Sequence, residues 1–177
     1  MKLDTKKPWV PDGYKLESHE DCGEVDVKDI ELYLSKKQES DNYIKGEDLL
    51  KELKDKKPLN SAVLKYLLDN PKHIPEEWKG KYISFFGTIL RSPNGTRRVL
   101  YLYYDGSQWD WDYHWLGNDW FDNRPSAVLA SGSKDTCNQC MKDMQTIKES
   151  HVCANPACPN YALCQIALED MPNKLTK

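Results

Sequence analysis

The sequence predicts an α+β fold in which short N-terminal helices pack on a small antiparallel β-meander, followed by a separate cysteine-rich module. Three observations predict it. Val63, Leu64, Leu67 and Leu68 recur at i, i+1, i+4 and i+5, the apolar stripe of an amphipathic helix. Residues 108–116 (QWDWDYHWL) alternate strictly, with Trp109, Trp111, Tyr113 and Trp115 on one side and Asp110, Asp112 and His114 on the other, which is the period of a strand. Five of the six cysteines fall after residue 136, where the composition changes.

These features divide the chain at 1–78 (a helical module), 79–131 (an aromatic-rich meander sharing one core with it) and 132–177 (the cysteine module). In the first, Asp26 reads as an N-cap for a helix carrying Val27, Ile30, Tyr33 and Leu34 on one face. Gly46 opens a second helix with acids first and lysines last, as the macrodipole prefers, and Pro58 closes it. Asn60 or Ser61 caps the Leu64 helix, and Asn70-Pro71 stops it. In the meander, residues 81–90 and 97–104 flank an Asn94-Gly95 turn, Asp105-Gly106 leads to the third strand, and residues 126–131 form a short last one.

The 177 residues carry a net charge of −3, and no segment is strongly basic: 1–78 holds −4, 79–131 holds +1 and 132–177 is neutral. That balance argues against a dedicated duplex-binding protein, which needs a basic stripe to displace counterions from phosphate. No apolar stretch is long enough for a membrane span or a signal core, so the expected location is the cytoplasm and no membrane partner is expected.

In such a reducing compartment cysteines serve metals more often than disulfides. Cys137, Cys140, Cys153 and Cys158 follow the pattern C-x2-C-x12-C-x4-C, in which two knuckles joined by a hairpin-length connection bring four thiolates around one Zn2+. The expected cofactor is therefore structural zinc, and the expected module a zinc ribbon. Cys164 and His151 are rival ligands close enough in sequence to replace a member of the set. With four protein ligands no position remains for an activated water. Cytidine-deaminase chemistry is excluded, because its H-x-E and P-C-x-x-C signatures are missing. Cys22 stands beside Asp21 and Glu24, whose charge disfavours a thiolate, and reads as a bystander.

Two resemblances add to this reading. The phrases PWVPDGYKLESHEDCGEVDVKDIELYLSKKQ, LNSAVLKYLLDNPKHIPEEWKGKYISFFGTIL and VLYLYYDGSQWDWDYHWLGNDWF make residues 9–131 resemble uncharacterised bacterial proteins found largely in genomes of uncultivated candidate phyla. That resemblance implies a bacterial intracellular protein and transfers no catalytic residue. The segment CANPACPNY resembles the knuckles in the small C-terminal zinc ribbons of bacterial type I topoisomerases.

The expected function is that of a non-enzymatic zinc-binding interaction protein with a protein partner. An alternative is a single-stranded nucleic-acid-binding protein using the ribbon and exposed aromatics. The row Trp109, Trp111, Tyr113 and Trp115 is the candidate binding surface; its structural role would be to pack on Leu64, Leu67 and Leu68. A second alternative is a hydrolase using Asp110, Asp112 and His114, although alternation on a solvated strand face gives the same pattern.

Overall fold

A computed structural model describes residues 3–40 and 43–130, and within 131–177 the backbone of three strands. The chain divides into two compact units, Met1–Ser131 and Gly132–Lys177. The strands of the first unit are β1 (Leu3–Asp4), β2 (Lys15–His19), β3 (Glu24–Val25), β4 (Ile30–Tyr33), β5 (Tyr43–Lys45), β6 (Ile83–Arg91), β7 (Arg97–Tyr104), β8 (Trp109–Trp115), β9 (Asp119–Phe121) and β10 (Ser126–Leu129). Its helices are α1 (Lys36–Ser40), α2 (Gly46–Leu53) and α3 (Ser61–Asp69). The fold is thus mixed, with few helices and mostly sheet, and among the described residues no helix is long and apolar enough to cross a membrane.

The central sheet runs β4-β10-β6-β7-β8, with β2 also paired to β6. The hairpins β6–β7 and β7–β8 are the expected meander. It is not the whole sheet: β10 inserts between β4 and β6, antiparallel to the first and parallel to the second. The segment expected as a helix over 27–34 is a 3-10 turn at Val27–Asp29, capped by Asp26, followed by strand β4. Residues 1–78 are accordingly no helical module, since β2 and β4 belong to the same sheet as the meander.

Both faces of the sheet are covered at its centre. On one, α3 brings Val63, Leu64 and Leu67 onto Ile83, Phe85, Leu90, Leu100 and Leu102. On the other, Leu49 and Leu53 of α2, with Ile44 and Trp120 from the β5–β9 pair, close over Phe86, Ile89 and Val99. Phe85 and Phe86 serve opposite cores by the ordinary alternation of a strand, and the β6–β7 register shift between Ser84 and Ile89 reverses the phase, so that Ile89 joins Phe86 and Leu90 joins Phe85. At that irregularity Gly87 lies against the Pro58–Leu59 backbone, and its N–H donates to the Leu59 carbonyl.

A buried polar knot ties α3 to the N-terminal strands. The Asn60 side chain accepts from the Ala62 and Val63 N–H groups and donates to the carbonyls of Thr5 and Glu20 at 3.0 and 2.8 Å. His19 faces the Thr5 carbonyl through Nε2, which must therefore donate, leaving Nδ1 to accept from the Thr88 hydroxyl.

In the second unit, β11 (Thr136–Cys137), β12 (Lys142–Ile147) and β13 (Ser150–Cys153) form an antiparallel three-stranded sheet in that order.

Candidate functional site

Strand β8 lies at the end of the central sheet, so among the described residues one of its edges is paired and the other is not. Its register with β7 sets Trp109, Trp111, Tyr113 and Trp115 opposite Tyr104, Leu102, Leu100 and Arg98. The aromatic row is therefore on the α3 side, but the helix covers only half of it. Trp109 and Trp111 pack against the α3 core, and Trp111 meets Trp9 edge-on at 4.9 Å between ring centres. Tyr113 and Trp115 lie beyond that cover and stay 37% and 48% exposed. Tyr14 flanks Tyr113 at 5.7 Å.

Arg98 lies beneath those two exposed rings. Its guanidinium carbon is 4.4 Å from the Tyr113 ring centre and 4.6 Å from that of Trp115. The residue is only 5% exposed, and its Nε and Nη1 are sealed from solvent without a hydrogen-bond partner. The neighbouring arginines differ. Glu17, at a bulge of β2, binds Arg91 and Arg97 at 2.8 and 2.7 Å, and Arg97 also meets Glu47 at 2.6 Å. As a sequence, Arg91, Arg97 and Arg98 form a local basic spot offset by Asp105 and the Asp110-Trp111-Asp112 phrase; in the fold it is Glu17 and Glu47 that pair with Arg91 and Arg97, and neither pairs with Arg98.

The opposite face of β8 is neither flat nor fully solvated. The His114 ring packs edge-on against Trp120 at 4.8 Å and its Nε2 donates to the Asp119 carbonyl at 3.1 Å. Burial holds its pKa below the usual histidine value. Asp110 and Asp112 each accept from the backbone N–H of the next residue, Trp111 and Tyr113, at 2.8 and 2.7 Å. Satisfying edge donors within the strand itself leaves fewer for another chain to pair with. Asp112 also accepts from the Tyr101 hydroxyl. Each member of the proposed acid–base trio thus has a local structural bond, and among the described residues no cluster of three or more His, Cys, Asp or Glu could hold a metal.

Of the proposed zinc ligands, Cys140 and Cys158 lie outside the described residues, as does the rival Cys164. The backbones of Cys137 and Cys153 belong to the outer strands β11 and β13, registered opposite Lys142 and Met144 of the shared central strand. His151 is registered opposite Thr146. In the first unit, burial pushes the Cys22 thiol up to about 11, with Glu20 and Asp21 adding smaller effects. Burial, more than the neighbouring charge read from sequence, keeps it protonated. A shallow cavity of about 240 Å³ is lined by Asp26, Val27, Lys28, Tyr66 and His73, and the Tyr66 hydroxyl bonds His73 at 2.8 Å.

No family model matches this chain, and neither do any curated protein or solved structure.

Sequence reasoning selected Tyr113 and Trp115 but passed over Arg98 as the third partner. The signal was present: in RRVLYLYY, Arg98 is in phase with Leu100 and Leu102, so an arginine occupies a core-facing position.

Proposed function

We propose that this chain is a non-enzymatic zinc-binding interaction protein whose first unit meets a protein partner through the Tyr113–Trp115 end of β8. The observation that carries the reading is the exposure of these two rings, 37% and 48%, on a sheet whose centre is covered on both faces. Aromatic rings with an adjacent arginine are the side chains that most often anchor protein interfaces.

The zinc part of the reading rests on the C-x2-C-x12-C-x4-C spacing. It is supported by the pairing of the strands that bear Cys137 and Cys153 with one central strand, a connection of hairpin length. Cys137, Cys140, Cys153 and Cys158 would hold the ion, which supplies folding free energy to a module too small for a sufficient core of its own.

Full-length protein purified under reducing conditions is expected to hold about one zinc per chain, and Cys137→Ser or Cys158→Ser to lose it. The Tyr113→Ser/Trp115→Ser variant is expected to keep its zinc and its fold but no longer retain the partner carried by the wild type. Absence of zinc removes the first half of the proposal, and full partner retention by the double variant removes the second.

Binding of single-stranded nucleic acid is the second reading, favoured by open ring faces beside a cation and opposed by the acidic balance of the first unit. It requires binding that weakens steeply with salt, which a titration at two ionic strengths measures.

A further inference from the structure

We infer that the corner formed by Arg98, Tyr113 and Trp115 binds a partner's peptide carboxylate that stands beside an aromatic or apolar side chain. This deepens the interaction surface proposed above and rests on it.

A guanidinium largely withdrawn from water without a carboxylate is unfavourable, and contact with two ring faces recovers only part of that cost. Arg98 has no hydrogen-bond partner at Nε or Nη1 among the described residues, while Arg91 and Arg97 share Glu17. Its cross-strand neighbours do not help. The rung that runs Leu16, Leu90, Arg98, Trp115 across four strands is otherwise apolar. A leucine or methionine would fill this position at lower cost, so the arginine makes physical sense if its counter-charge arrives from outside.

The cover over Arg98 is light. It consists of the side chains of Tyr113 and Trp115 on an edge strand, both well exposed, and such rings reorient without backbone rearrangement. One unpaired cation matches one negative charge, whereas a polyanion would meet the surplus of acids on this unit. The ring faces and Leu16, itself 46% exposed, provide the apolar bed for a neighbouring side chain.

The test is an NMR titration of the full-length protein, following the Trp115 indole N–H and the Arg98 Nε–H. N-acetyl-phenylalanine is the probe, N-acetyl-phenylalaninamide its neutral counterpart, and a thymidine oligonucleotide the polyanion. Both signals are expected to shift with the acid and to respond about tenfold or more weakly to the amide. Arg98→Met is expected to abolish the response while melting at or above the wild-type temperature; Arg98→Lys keeps a weaker response. Equal response to acid and amide, a response that survives in Arg98→Met, no response to the acid, or stronger binding of the oligonucleotide overturns the proposal. A lower melting temperature for Arg98→Met also overturns it, because the arginine would then be structural. If the titration fails while the double ring variant still loses its partner, only the carboxylate site falls. Partner retention by the double variant removes the surface itself.

Discussion

Replacing Gly46 with alanine destabilises the first unit by about 3 kcal/mol, against the helix-propensity preference for alanine of about 1 kcal/mol. Gly46 is the first residue of α2, directly after β5, and its N–H donates to the Asn118 carbonyl. That bond draws the β5–α2 junction onto the loop before β9. A methyl group there would sit 2.1 Å from the Leu116 carbonyl oxygen and 2.2 Å from Trp120 Nε1. Neither neighbour yields readily: one is backbone, and Trp120 is wholly buried against Phe86. The second core must therefore open for the extra atom to enter. Gly117→Ala is the control, because nothing lies within 4 Å of its added methyl, and it is expected to change stability by less than about 0.5 kcal/mol. Urea denaturation followed by tryptophan fluorescence compares the two; equal midpoints would show that the junction has room to relax.

Asn60→Ala costs a similar amount, about 3 kcal/mol, for a different reason. One side chain satisfies two helix-start donors and two carbonyls of the N-terminal segment, and it is fully buried. Losing the cap accounts for about 1 kcal/mol. The rest comes from the two carbonyls that lose their amide donor and the tie between α3 and the N-terminal segment, although His19 still donates to Thr5 and the Cys22 thiol lies 3.6 Å from the Glu20 carbonyl. Asn60→Ser is expected to recover only the capping share, since serine replaces the acceptor but cannot reach both carbonyls. Full recovery by serine, in thermal or urea denaturation, would mean that the link to the N-terminal strands carries little of the effect.

The same two positions mark how far the sequence could be read. Asn60 as a cap, the Leu64 helix, and strands β7 and β8 were legible because each depends on local period and local capping. The segment after Asp26 was misread because β4 carries apolar residues toward both cores: Ile30 and Leu32 pack on the first and Tyr33 on the second, with Glu31 exposed. With apolar residues on both faces, a strand loses its clean alternation, and Val27, Ile30, Tyr33 and Leu34 then imitate a helical face. The insertion of β10 between β4 and β6 arises from pairings remote in sequence, and the shift within β6 lies where Gly87 meets the Pro58–Leu59 backbone; local pattern encodes neither. At the candidate site, the aromatic row was legible as a row, but its division into a covered and an uncovered half depends on where α3 ends over the sheet. The solitary charge of Arg98 needed the structure for another reason: Glu17 reaches Arg91 and Arg97 only from the bulge in β2.

One end of the tryptophan row faces solvent while the other tryptophans of the protein are packed. Oxidation of the native full-length chain by limiting N-bromosuccinimide, with each site read by peptide mass spectrometry, measures this directly. Trp115 is expected to react first, Trp9, Trp109 and Trp111 later, and Trp78 and Trp120 last, in the order of their burial. Protection of Trp115 to the level of Trp120 would contradict the account, since the surface assigned to the partner would then already be covered.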